Sequence, residues 1–307
     1  MSANVKKMKG GPDRHPMAPW MFLAPYLLYA AVFFAYPLLY AGWLAFHQTD
    51  GPSSVFVGCK GIYDNFLFIF SDPRFYKALS NTTIYAIASI CIQLPISLGL
   101  AMLLNSSASR MKSAFRLMIF SPNLVGQIFV GVMFAVIFTP FDGLFNKGLY
   151  ALVGWGLDKQ WLQDPNLLLP GLIIISLWMY VGYNMIYFLA GLQSVDKQLI
   201  EAAQIDGASS WQTFLHITLP QIKPIAIFVV IMSTIGSYQL FELPFALMKG
   251  EGFGPNNAAM TVVGYLYEWG FNNGDLGTAA AIGWIRAAII FTISIIQLKV
   301  THAYDVD

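Results

Sequence analysis

Apolar residues gather along this chain into six long blocks, at roughly residues 17–46, 82–104, 115–138, 167–192, 222–247 and 277–299, with polar connections between them. A helix that crosses a bilayer needs about 20 mostly apolar residues, and every block reaches that length. Strands of a membrane barrel alternate apolar and polar positions over about ten residues, whereas these blocks are continuously apolar. Hydrocarbon offers no water to backbone groups, so only helices and closed barrels cross it. The pattern predicts an all-α integral membrane protein with six transmembrane helices. The first block exceeds the roughly 7–15 apolar residues of a secretory leader, so it reads as an uncleaved first span behind a basic tail. The predicted organisation is a tail at 1–16, a membrane domain at 17–300 and a second tail at 301–307.

Composition agrees. The chain is 57% hydrophobic and 11% charged, against about 45–50% and about 25% for soluble domains. A net charge of +1 gives no field for nucleic acid. Cys59 lies in a polar stretch and Cys91 in an apolar run, so no disulfide is expected, and the scattered His15, His47, His216 and His302 suggest no metal site. The sequence contains no phosphate loop, nucleophile elbow or H-E-x-x-H pattern. Neither catalytic residues nor a cofactor of its own are expected.

Lys and Arg set the orientation. With both termini inside, ten of these residues fall on the cytoplasmic side and six outside, although the outer loops are longer in total. Trp20, Trp43, Trp155, Trp161 and Trp269 flank spans as interfacial anchors. Pro25, Pro37, Pro95, Pro122 and Pro244 interrupt the blocks, and each is expected to bend its helix. A stripe of small residues, Ala279, Gly283 and Ala287, allows close packing within the bundle or against a partner.

The connection between the fourth and fifth blocks, about 194–221, is unlike a plain loop. Asp196 suits the cap of a helix over about 197–205, Gly207 suits the left-handed residue that ends it, and Ser209 with Gln212 makes a capping box for a second short helix, which Pro220 is expected to stop. Ala202, Ala203, Gly207 and Ala208 keep the bend free of bulk, while Glu201 and Asp206 flank it with negative charge. Such a knob fits a cleft on another protein. An amphipathic surface loop is the plainer alternative, but only Lys197 and Lys223 bracket the segment.

The spacing Glu201-Ala202-Ala203, Gly207, Ile217, Leu219-Pro220 resembles the EAA loop of ATP-binding-cassette importer permeases. Asp206-Gly207-Ala208 with Phe214, the Asn81-Thr82-Thr83 opening of the second block, and Gly252 to Pro255 are similar to the carbohydrate branch, which usually has a Gly-Gly-Pro turn where this chain reads Gly-Phe-Gly-Pro. Tyr265 to Gly277 resembles the maltose-type first permease. The likeness implies a type I importer permease fold and import of sugar across a bacterial or archaeal cytoplasmic membrane. It also implies a second homologous permease, two ATPase subunits that bind ATP and Mg, and an extracytoplasmic sugar-binding protein. On this resemblance Glu201, Ala202, Ala203, Asp206, Gly207 and Ala208 couple to the ATPase.

Sugars are held by hydrogen bonds and by stacking on aromatic rings. Within the fourth and fifth blocks, Tyr183, Asn184, Gly236, Ser237, Tyr238, Gln239 and Glu242 are the candidates for the substrate path, since polar groups at such depth usually face a bundle interior or water. Simple interhelical hydrogen bonds are the alternative for each. Arg286, the one charge near mid-span, pairs with Glu242 if it reaches outward; the alternative is that it bonds alone to carbonyls or faces a water-filled cavity. Monosaccharide, disaccharide, oligosaccharide, polyol and glycerol phosphate are all open as cargo. The alternative function is an ion-coupled secondary transporter, for which Glu242 is the only candidate coupling acid and no internal repeat is evident.

Overall fold

The computed structural model describes residues 18–50, 55–58, 63–106, 112–250 and 252–301; the tail 1–16, residues 302–307 and Cys59 lie outside them. Among the described residues, five continuous helices are long and apolar enough to cross a membrane: Trp20–Leu44, Pro73–Asn105, Pro165–Gln193, Ser210–Ser237 and Leu276–Val300. The remaining block is a bent pair, Lys112–Leu124 and Gln127–Ile137, meeting at 94°. Counted as one broken span, it completes the six. Neither half crosses alone, since 11 residues rise only about 17 Å at 1.5 Å per residue. The break lies where Pro122 opens a 3₁₀ turn, Ser121–Leu124, and Val125 and Gly126 then run extended.

Two of the expected proline bends, and the expected stop at Pro220, share one device. Just before Pro37, Pro95 and Pro220 the helix widens into a π turn, at Ala31–Ala35, Ser89–Gln93 and Phe214–Thr218. In each, the residue preceding the proline donates its N–H to a carbonyl five residues back: Tyr36 to Ala31, Leu94 to Ser89, Leu219 to Phe214. The wider turn accommodates both the missing N–H and the proline ring, so these helices continue. Pro220 therefore does not stop the second helix of the 194–221 connection, which runs from Ser210 through the π turn into Leu219–Ser237. The fifth block, in turn, does not continue to 247. It ends at Ser237, and Glu242–Leu247 is a separate short helix. Pro244 falls in its first turn, where a backbone N–H would have no intrahelical partner. A Cβ on Gly131 would stand 2.7 Å from the Ala246 Cβ, so Gly131 lets this short helix lie directly on Gln127–Ile137. Gly182 plays the same part between Pro165–Gln193 and the backbone of Ile119.

Two apolar cores stack along the bundle. One, toward the end opposite the 194–210 loop, holds Tyr85, Phe134, Phe138, Leu172, Met179, Leu243 and Tyr265. The other, nearer that loop, holds Leu94, Leu104, Met185, Phe188, Ile222 and Val229. At the end opposite the loop, a collar ties the helices together. Asn81 donates to the carbonyls of Asn257 (3.0 Å) and Met260 (2.9 Å), Thr82 accepts from the Val262 N–H (3.1 Å), and the Thr83 and Tyr238 hydroxyls meet at 3.1 Å. Arg74 pairs with Asp72 (3.2 Å) and Glu268 (2.6 Å) in the same collar. A small antiparallel ribbon, Gln48–Asp50 with Val55–Gly58, is an exception to the all-helical plan. It is anchored where Thr49 donates to Asp275 (3.2 Å) and accepts from the Gly277 N–H (2.9 Å). The small-residue stripe serves packing within the chain over its first two members: Ala279 is buried against Gly270, and Gly283 lies against Leu266.

Candidate functional site

Two features stand out, one at each level of the bundle. The first is the loop. Asp196 caps the helix Lys197–Ile205 by accepting from the Gln198 N–H at 2.9 Å. The helix ends as Gly207 turns left-handed at φ +78°. The Ala208 N–H reaches back to the Ala203 carbonyl (2.9 Å) and the Gly207 N–H to Gln204 (3.1 Å), the paired bonds of a Schellman termination. Ser209 and Gln212 then form the reciprocal capping box that opens the next helix. The result is a fixed knuckle with little side-chain bulk. Glu201, Ala202, Asp206 and Gly207 are exposed and Ala203 and Ala208 half-exposed. Two large apolar side chains stand beside it in the open, Ile205 at 87% and Trp211 at 65% exposure. Ile205 lies outside the spans, where an exposed apolar group is what a docking surface presents, and Trp211 stands in the first turn of the helix Ser210–Ser237.

The second feature is a cavity of about 550 Å³, lying between the two apolar cores. Tyr180, Tyr183, Asn184 and Tyr187 enter it from the fourth span. Ser233, Gly236 and Ser237 line it from the fifth, with Gln239 and Glu242 from the turn that follows. A Cβ on Gly236 would meet nothing within 4 Å, so this glycine keeps the wall open rather than serving packing. The Tyr183 and Tyr187 hydroxyls touch at 2.9 Å. The lining combines aromatic faces, hydroxyls and amides with apolar side chains and the Glu242 carboxylate, the mixture of apolar surface and placed polar groups that a small-molecule site presents.

Of the residues predicted for the path, Tyr183, Asn184, Gly236, Ser237, Gln239 and Glu242 share this cavity; Tyr238 does not. Tyr238 caps the fifth helix at the turn, and its ring is buried toward Thr83 in the collar. The Glu242–Arg286 pair does not form: the ion pairs among the described residues belong to Arg74 and Lys147. Arg286 does not line the cavity, and its Nε is buried without a hydrogen-bond partner. Sequence reasoning missed Tyr85, Ser89 and Gln93 of the second span and Asn123 and Gln127 at the break of the third. The signal available was polar residues at i, i+4 and i+8 in the second block, on one face of a helix. No group of three or more His, Cys, Asp or Glu that would hold a metal occurs among the described residues.

Comparison with known proteins places this arrangement. The family model described as "binding-protein-dependent transport system inner membrane component" matches residues 93–302. The chain is 34% identical over 287 residues to the arabinooligosaccharides transport system permease protein AraP of Bacillus subtilis strain 168, covering 94% of this chain and 89% of that one. It is 34% identical over 279 residues to the lactose transport system permease protein LacF of Rhizobium radiobacter, covering 91% and 92%. A crystal structure of a bacterial ABC transporter that imports the acidic polysaccharide alginate superposes with TM-score 0.76 at 23% identity, covering 92% of this chain and 94% of its own, and so shares the fold. These matches favour an importer permease over an ion-coupled carrier. The chain belongs to the binding-protein-dependent transport system inner membrane component family and is a multi-pass permease of an ATP-binding-cassette importer.

Proposed function

We propose that this chain is half of the translocation pore of a sugar importer driven by ATP hydrolysis on separate subunits. The exposed knuckle at 201–208 carries the reading, because its small residues, its flanking Glu201 and Asp206, and the bare Ile205 and Trp211 suit insertion into a cleft on an ATPase. The continuous helix Ser210–Ser237 runs from the knuckle to the cavity wall at Ser233, Gly236 and Ser237. A push on the knuckle is therefore delivered to the cargo site along one continuous helix. In this scheme Glu201, Ala202, Ala203, Asp206, Gly207 and Ala208 couple to the ATPase. Tyr183, Asn184, Gly236, Ser237, Gln239 and Glu242 line the sugar path.

The partners in this reading are a second homologous permease, two ATPase subunits that bind ATP and Mg, and an extracytoplasmic sugar-binding protein. Both termini and the knuckle lie in the cytoplasm of the bacterial or archaeal cell, and lipid surrounds the spans. The relatives' names, arabinooligosaccharide and lactose transport, support a carbohydrate cargo. The test is co-purification from native membranes in mild detergent, with the unaltered chain beside a Gly207→Trp variant. The ATPase and a second permease are expected with the unaltered chain, and the ATPase is expected to be lost from the variant. A chain that purifies alone in both cases refutes the docking role.

A further inference from the structure

Charge is unevenly placed around the cavity. Four tyrosines, several hydroxyls and several amides line it, and Glu242 is its one carboxylate; no Lys, Arg or His is among the described residues lining it. Glu242 opens the short helix Glu242–Leu247 and is exposed at the cavity wall beside Gln239 and Leu240. No described cation forms an ion pair with it. An unpaired carboxylate in the wall of a cavity whose described lining holds no cation gives that cavity a negative potential.

A second observation points to the same cargo chemistry. The Oε1 atom of Gln127 is buried and has no hydrogen-bond partner, and Gln127 lines the same cavity. Both groups are acceptors, and a buried acceptor without a donor is costly. A sugar hydroxyl donates to the Glu242 carboxylate directly, and to the Gln127 Oε1 once that buried atom turns into the cavity. A phosphate or an ionised uronate offers mainly acceptors and brings a second negative charge toward Glu242.

On the sugar-path reading above, we infer that Glu242 is a charge filter, acting with Gln127 so that the path takes neutral, hydroxyl-bearing cargo and rejects phosphorylated and uronic-acid sugars. Glycerol phosphate is thereby removed from the open cargo classes. Two unit charges about 6 Å apart at an effective dielectric of about 40 repel enough to weaken binding about tenfold. The repulsion falls at about 1 M salt, where the Debye length is about 3 Å; a filter made by shape does not respond in this way.

The test is saturation-transfer NMR on the purified complex of this chain with its partner permease and ATPase, with no binding protein present to select first. The probes are arabinobiose and lactose as neutral disaccharides and digalacturonate as the acidic one. The unaltered complex is expected to bind a neutral disaccharide at least about tenfold more tightly than digalacturonate, with the gap narrowing at high salt. Glu242→Gln, isosteric and exposed, is expected to bring the ratio of neutral to digalacturonate affinity to within about threefold of one, whatever it does to the neutral affinity itself. Gln127→Leu is expected to weaken the neutral sugar without rescuing the acidic one. An unchanged melting temperature in both variants excludes misfolding as the cause. Equal binding of neutral and acidic probes by the unaltered complex overturns the filter, as does discrimination that survives Glu242→Gln; in either case the sugar path stands. Failure of every probe to bind any form overturns the sugar-path reading itself.

Discussion

Gly207 is held at φ +78°, and a Cβ placed on it would meet nothing within 4 Å. Substitution there tests backbone strain free of steric clash within the permease. For a residue with a Cβ, the left-handed conformation costs about 1–2 kcal/mol, a factor of about 5 to 30 in an equilibrium. That cost falls on the two bonds that close the knuckle, Gly207 N–H to Gln204 and Ala208 N–H to Ala203. Hydrogen-exchange mass spectrometry on the permease alone in detergent reads it directly. In Gly207→Ala, amides of the 203–210 segment are expected to lose protection by about 5- to 30-fold. Gly207→Asn is expected to lose less, since Asn tolerates the left-handed region, and Gly207→Val more, since a β-branched side chain tolerates it worst. Protection that falls with side-chain volume, so that Asn is worse than Ala, or that does not fall at all, refutes the strain account of the knuckle.

Further outcomes follow from the packing. A side chain at Gly182 would strike the backbone carbonyl of Ile119, which no rotamer change can move, whereas Gly99 faces open space. Gly182→Leu should destabilise by about 3 kcal/mol or more, seen as lost folded yield and a lower melting temperature, while Gly99→Leu should do neither. The carboxyl of Asp72 sits below the ordinary carboxylate range: burial pushes it up, but hydrogen bonds from the Arg74 backbone, the Tyr265 hydroxyl and the Arg74 guanidinium, with the Arg74 charge, outweigh that. Its stabilisation is present above the unfolded value of about 3.9 and is lost as pH falls through the lower folded value. Asp72→Asn is expected to cost about 1.5–3 kcal/mol at neutral pH and to flatten the fall in melting temperature below pH about 4; parallel profiles for the two proteins would contradict this. Ile205→Ser and Trp211→Ser, both at exposed positions, should weaken retention of the ATPase in pull-downs and leave the permease's own melting unchanged.

Much of the fold is legible in the sequence because hydropathy reports which segments leave water. It marked the six blocks but not the 94° break at 124–127, since a helix and a broken helix of the same residues are equally apolar; Pro122 is what announces a bend there. Local chemistry is legible where a few adjacent residues decide it: Asp196, Gly207 and the Ser209–Gln212 box take the conformations their side chains dictate. Pro220 misled because a helix can absorb a proline by widening into a π turn, an option that depends on flanking packing. Tyr238 misled for a related reason. In a span apolar on all sides the sequence does not say which face looks inward, and the turn at 238–241 swings its ring into the collar. Ser89 and Gln93 were overlooked although both lie four residues along the same face from a lining neighbour; their periodicity becomes meaningful only beside the tyrosines of the fourth span.

Reconstitution of this permease with its partner permease, ATPase and binding protein in proteoliposomes tests the central claim most directly. The measurement is uptake of radiolabelled neutral oligosaccharide, with and without ATP on the ATPase side and with and without ionophores. ATP-dependent accumulation is expected, abolished when the ATPase cannot hydrolyse and indifferent to collapse of ion gradients. Uptake that needs an ion gradient and proceeds without ATP contradicts the account.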